Sequence, residues 1–204
     1  MQQKNFSEFK FKKVKQGNSV GVLQISDTHF NELVSLPHNN YDFKVAARRL
    51  KHYVNRAKEI FKVYNIDSVL IAITGDLINS DRRLDKMLNM STNRSKAVFL
   101  AVDLLQQIIF DIGKDYSVTV ACVTGNESRL KQDWGWSDFM ASDNYDFVIF
   151  EILRHYFKTT DVQFVVDDPT EVVVNVAGQN LLLLHGNGSF TTQYEKSVNQ
   201  IKGR

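Results

Sequence analysis

Three short β-branched apolar runs, Ser19–Ile25, Asp67–Ile73 and Ser117–Val123, each stop abruptly in a polar turn. The turns read Ser26-Asp27-Thr28-His29, Thr74-Gly75-Asp76 and Thr124-Gly125-Asn126. Runs this short and this continuously apolar are too brief for buried helices and match strands covered on both faces. Between the first two runs, Phe43, Ala46, Ala47, Leu50, Val54, Ala57, Ile60 and Phe61 recur at helical spacing through about Val63, and a second such pattern runs through Ala97, Ala101, Leu104, Leu105, Ile108 and Ile109. Strand and helix in alternation predict a parallel sheet in an α/β layered domain.

After a third helical pattern over about Tyr145 to Phe157, the periodicity changes. Val162–Val166, Glu171–Val176 and Leu181–Leu184 read as short strands separated by Asp168-Pro169 and by Gly178-Gln179-Asn180, both turn signals. The last of them ends at His185-Gly186. No repeat or linker divides the chain, and 204 residues at 43% hydrophobic fit a single domain over 1–204, with an extension or edge strand in 1–18 and a tail in 189–204.

Several function classes lose support at once. A formal net charge of +2 gives no overall electrostatic drive toward nucleic acid, membrane or acidic partners. The single Cys122 sits in an apolar run and has no partner for an internal disulfide, which points to a reducing, cytoplasmic setting. Lysines interrupt the first seventeen residues, so no signal peptide is expected there, and no segment is apolar enough to span a bilayer.

Ligands of open α/β sheets gather at the carboxyl ends of the strands, where this chain places Asp27, His29, Asp76, Asn126 and His185. Each residue alone is an ordinary turn former or a structural histidine. Together, in this order and each after an apolar strand, they form a mixed oxygen and nitrogen donor set suited to Mn, Fe, Zn or Ni. A shared carboxylate can hold two such ions roughly 3.5–4 Å apart, an arrangement used in phosphoryl chemistry.

The succession Asp27-x-His29, Gly75-Asp76, Gly125-Asn126 and His185 after an apolar strand resembles the calcineurin-like metallophosphoesterase superfamily, from about Val20 to Gly188. The resemblance implies a sandwich of two β-sheets flanked by helices and a dinuclear site that hydrolyses a phosphate mono- or diester, with nucleic acid and nucleotides among the candidate substrates. It implies Mn as the foremost metal, with Fe, Zn, Ni or Mg as alternatives. Asp27 and His29 would bind the first ion, Asp76 would bridge, and His185 would bind the second ion with Asn126, which also orients the phosphate.

Two departures qualify that picture. Glu127 stands where the family carries histidine, so the catalytic set becomes Asn126, Glu127 and Arg129, with Glu127 either an acid or a salt-bridging residue. The family's closing Gly-His-x-His element has no counterpart, because no histidine follows His185. His38, His52 and His155 remain, and of these only His38, in the loop after the first motif, is a candidate to approach the site, its alternative being a solvated loop histidine.

The missing element leads to the expectation of a sandwich incomplete at its C-terminus, truncated or split, and Leu184-His185-Gly186-Asn187-Gly188 resembles a segment of some phage members, which implies a phage-type protein. The alternative is an impaired domain that holds one ion or none and acts as a binding module, or one completed in trans by a second chain or copy through an unpaired sheet edge. Arg82, Arg83 and Arg129 are candidate phosphate ligands. The stretch Phe6 to Lys13 reads as a lysine-blunted edge strand or a single-stranded nucleic-acid contact, and Trp134 and Trp136 as packing or lid residues.

Overall fold

The computed structural model describes residues 19–130 and 141–186. The N-terminal edge strand, Trp134 and Trp136, and the tail 189–204 lie outside the described residues. Four strands, β1 (Val20–Ile25), β4 (Ser68–Ile73), β5 (Ser117–Cys122) and β6 (Gln163–Phe164), form a parallel sheet in the order β1-β4-β5-β6. Their register is in phase: Ile25 lies opposite Ile73, and Ile73 opposite Cys122. The three polar turns consequently leave the sheet at one level, which brings their side chains into reach of each other.

Strand alternation assigns each face of this sheet its own cover. Val69, Ile71 and Ile73 of β4, with Val118, Val120 and Cys122 of β5, join the core formed with helices α1 (Phe43–Val63), α3 (Arg94–Gly113) and α4 (Tyr145–Tyr156). Leu70, Ala72, Ala121 and Val123 point the other way, onto Val172, Val174 and Leu183 of an antiparallel pair, β7 (Glu171–Val176) and β8 (Gln179–Leu184). Each fully buried Leu or Ile contributes about 1.5–3 kcal/mol, so these two clusters hold the layers together. The result is an α/β fold with helices on one face of the parallel sheet and a hairpin on the other.

Capping fixes where the helices begin. Asp42, Asn93 and Asn144 each accept a hydrogen bond from a backbone amide of the following turn, at Val45, Lys96 and Asp146. The β7–β8 register pairs Val176 with Gln179, so the turn is Ala177-Gly178 rather than Gly178-Gln179-Asn180. Both turn residues have positive φ, 50° and 83°, as a two-residue hairpin turn requires.

Two elements differ from the sequence expectation. The loop around Pro37 is a hairpin of β2 (Val34–Leu36) and β3 (Asn39–Tyr41), and the polar connection after β4 holds a short helix, α2 (Leu84–Leu88). Neither carries a buried stripe to announce it: α2 has no buried residue, and β2 and β3 are exposed or half-buried throughout. Among the described residues no helix is long and apolar enough to cross a membrane.

Candidate metal centre

Beyond the ends of β1 and β4 the two turns continue side by side. Thr74 N donates to Ile25 O (2.9 Å), Asp27 N to Gly75 O (3.0 Å), His29 N to Asp76 O (3.2 Å) and Phe30 N to Leu77 O (2.8 Å). Within this paired segment Asp27, His29 and Asp76 all adopt left-handed backbone, with φ of 51°, 43° and 53°. Such conformations cost about 1–3 kcal/mol each and persist only where the surroundings impose them. Only Asn65 and Ala177 share this conformation among the other described non-glycine residues, so the strain is concentrated in these two turns.

The turns bring Asp27 and Asp76 together with His185, which arrives from the end of β8. One ligand atom of each lies within 4.8 Å of the others. His185 Nδ1 lies 2.6 Å from the Thr74 carbonyl, and this bond leaves Nε2 facing Asp76 Oδ2 at 3.3 Å and Asn126 Oδ1 at 3.2 Å. A backbone carbonyl that fixes the ring in this way is the usual device for presenting the other nitrogen to a metal. The remaining Asp76 oxygen, Oδ1, accepts from Glu127 N at 2.8 Å.

Burial pushes the Asp76 carboxyl up, but the His185 hydrogen bond, the Glu127 amide and the nearby His185 and His29 charges outweigh it and hold the group below the usual carboxylate value. Donating that bond to Asp76 lifts the His185 imidazole to about 9 against the opposing effect of burial. In the metal-free protein His185 is thus protonated at neutral pH, and its contribution to stability is fully present below 6.5 and lost as pH rises through about 9. An imidazole binds a metal only in its neutral form, so cation uptake displaces this proton. Calorimetric titration with Mn²⁺ at pH 7 in buffers of different ionisation enthalpy is expected to show release of about one proton per ion, with affinity rising toward pH 9. Uptake without proton release would remove His185 from the ligand set.

A residue that sequence reasoning did not single out holds the turns in place. Asp146, fully buried in the first turn of α4, accepts from Asp76 N (2.9 Å), Leu77 N (3.1 Å), Gly125 N (2.9 Å) and Ser128 Oγ (2.7 Å). Burial pushes its carboxyl up, while these donors favour the ionised form. Asn144, the α4 cap, adds a bond from its Nδ2 to Gly125 O at 2.9 Å. The only sequence signal was a helix start at Asn144-x-Asp146, which says nothing of partners in turns far back along the chain.

The turns also meet too closely for side chains at their glycines. A Cβ on Gly125 would lie 2.0 Å from Asp76 Oδ1, and one on Gly75, where φ is 88°, would lie 2.4 Å from Gly125 N.

Cationic groups border the cluster. Arg82 donates to Asn126 O at 3.0 Å, and Arg129 lies near enough to Arg82 and Asp76 to feel both charges, although burial is the main cause of its lowered pKa. Arg94, buried and stacked 4.4 Å over the Tyr145 ring, donates to Ser128 O (2.9 Å) and Arg129 O (2.7 Å) and pairs with Asp81 (2.8 Å), which fixes the loop carrying Arg129.

Of the sequence candidates, then, Asp27, Asp76, Asn126 and His185 converge, and His29 and Glu127 flank Asp76 through backbone bonds. Arg83 pairs instead with Asp85 on the exposed surface. His38, His52 and His155 are exposed on the β2–β3 turn, α1 and α4, and none joins the group.

Two carboxylates and an oriented imidazole form a donor set that fits a borderline divalent cation. The buried His29 Nδ1, which has no hydrogen-bond partner among the described residues, fits a ligand role as well. The described residues supply one three-residue cluster, a single cation site where the sequence pattern leads one to expect two. Comparison with protein-family models, curated proteins and solved structures returns no match for the chain.

Proposed function

We propose that this chain is a metal-dependent phosphoesterase of the calcineurin-like metallophosphoesterase type. The observation that carries the reading is the meeting of Asp27, Asp76 and His185 at the carboxyl ends of parallel strands, with Asn126, Arg82 and Arg129 beside them. A divalent cation bound there would supply Lewis acidity toward phosphoryl oxygens and a water of lowered pKa. Asp27, Asp76 and His185 would hold that ion. Asn126 Oδ1, 3.2 Å from His185 Nε2, and His29 Nδ1, which has no partner among the described residues, would supply donors for a second ion.

The chain's own groups account for the rest of the chemistry. Arg129 and Arg82 present guanidinium donors to the phosphate, a planar fork matched to two oxygens. The Asn126 amide orients the ester. Glu127 stands where the family uses histidine, and its Oε2 is buried without a partner among the described residues. It takes the place of the acid that gives a proton to the leaving oxygen.

The test is Mn²⁺ binding and hydrolysis of a generic aryl phosphodiester by the purified chain, with Asp76→Asn as the control. Metal-dependent turnover is expected, and the variant is expected to lose cation binding and at least about 100-fold in rate. Hydrolysis that persists undiminished in Asp76→Asn, or that ignores a chelator, would overturn the reading.

A further inference from the structure

Positive charge is concentrated on α1 far beyond the chain's net charge of +2. Lys44, Arg48, Arg49, Lys51, Arg56 and Lys62 are all exposed there, against the single carboxylate Glu59. Lys58 is the exception, since it is engaged by Asp111 and Asp115 (3.5 and 2.7 Å). Val45, Arg48, Arg49, His52, Tyr53 and Arg56 recur at helical spacing and so share one face. With Asn40 of β3 they line an open groove of about 610 Å³ that has no carboxylate in its walls. Arg56 pairs with Glu59 and Arg49 lies 5.6 Å over the Tyr41 ring, while Arg48 has no ion pair among the described residues.

The groove is joined to the candidate metal centre through two tyrosines. The Tyr41 hydroxyl donates to the carbonyl of Thr28, the residue between Asp27 and His29. The Tyr53 hydroxyl donates to Gln24 O (3.0 Å) in β1, the strand that delivers Asp27. Anionic membrane is a poorer fit to this surface, because the apolar face of α1 (Ala46, Val54, Ala57, Phe61) is turned into the core and the groove is concave.

We propose that this groove binds the phosphate backbone of a single-stranded polynucleotide and lays it beside the loop that carries Asp27 and His29. Three guanidinium groups along one helix face, of which Arg48 has no ion pair among the described residues, suit successive phosphates, and the exposed Tyr53 ring offers a surface on which a base can stack. Binding is independent of catalysis. That the bound strand is also the substrate rests on the phosphoesterase reading above.

The experiment is fluorescence anisotropy with a labelled single-stranded DNA of about 20 nucleotides, in the presence of a chelator, over about 50 to 200 mM salt. The triple variant Arg48→Ala/Arg49→Ala/Arg56→Ala is expected to bind at least about tenfold more weakly at the low-salt end, with a log–log salt slope shallower by about 2. Arg48→Glu, a single exposed change, is expected to weaken binding in the same direction and decides the matter should the triple variant misfold. Unchanged affinity and slope in these variants, tighter binding of the duplex of the same sequence, or capture by phosphatidylserine vesicles with no affinity for DNA would each overturn the proposal. DNA binding by a chain that shows no aryl phosphodiester hydrolysis would leave the groove in place and remove only the phosphoesterase reading. The triple variant is expected to hydrolyse the small aryl ester at the wild-type rate.

Discussion

Replacing Asp146 with alanine is expected to destabilise the protein by about 3–5 kcal/mol and to abolish cation binding, even though Asp146 is not among the cluster's ligands. Its carboxylate accepts from three backbone amides and one hydroxyl, all buried. Removing an acceptor strands its donors, at roughly 1–3 kcal/mol for each buried group left unpaired, less whatever a water entering the void restores. The donors belong to the turn after β4 and the turn after β5, so the loss unclamps the two segments that present Asp76 and Asn126.

Asp146→Asn separates the two effects, because it keeps the volume and one acceptor oxygen but turns an amide NH₂ toward backbone N–H groups. Intermediate stability with lost Mn²⁺ binding is the expected result. Urea denaturation and Mn²⁺ titration measure both quantities, and an alanine variant within about 1 kcal/mol of wild type that still binds the ion would show that the turns hold their shape without the clamp.

How much of this was legible in the sequence follows from where each residue's partners lie. β4 and β5 were readable because a strand covered on both faces must be apolar at nearly every position, and Val69 to Ile73 are buried without exception; β1, at the sheet edge, buries only Gly21, Leu23 and Ile25 and was readable as a short β-branched run that stops in a polar turn. Asp27, Asp76, Asn126 and His185 were readable because each lies in the polar turn that follows an apolar strand. Asp146 was not, since its acceptor role depends on Asp76, Leu77 and Gly125, all far back along the chain, while its local position says only that a helix begins. Arg94 is the same case: a cation in the first turn of α3, buried by bonds to carbonyls of a later loop.

The basic groove was hidden for a different reason. The chain's net charge of +2 averages over α1 and the acidic remainder, and only the helical spacing of its arginines together with the placement of β3 reveals one concave face. The β7–β8 turn was misplaced by one residue because Ala177 is a poor turn former by propensity. Tertiary pairing of Val176 with Gln179 imposes positive φ on it regardless.

Gly125→Ala is expected to weaken Mn²⁺ binding by roughly 100-fold or more and to cost about 1–3 kcal/mol of stability. Gly125 does not need glycine for its backbone angles, so the effect is steric. The added methyl would lie 2.0 Å from Asp76 Oδ1 and 2.3 Å from Asp76 N, separations no packed structure tolerates. Relief can come only by moving the β5 turn, already tied to Asp146 and Asn144, or by moving Asp76. The carboxylate is the softer of the two, and its displacement breaks both the Glu127 amide bond and the approach to His185.

Gly178→Ala provides the comparison. Its φ of 83° makes alanine strained, yet nothing lies within 4 Å of the new methyl. It is expected to cost about 1–2 kcal/mol and to leave cation affinity at the wild-type value. Similar stability losses with affinity lost in only one variant would locate the effect at Asp76. Equal affinity in both would mean that the two turns can separate without disturbing the ligand set, and that the close contact of Gly125 with Asp76 is packing without functional consequence.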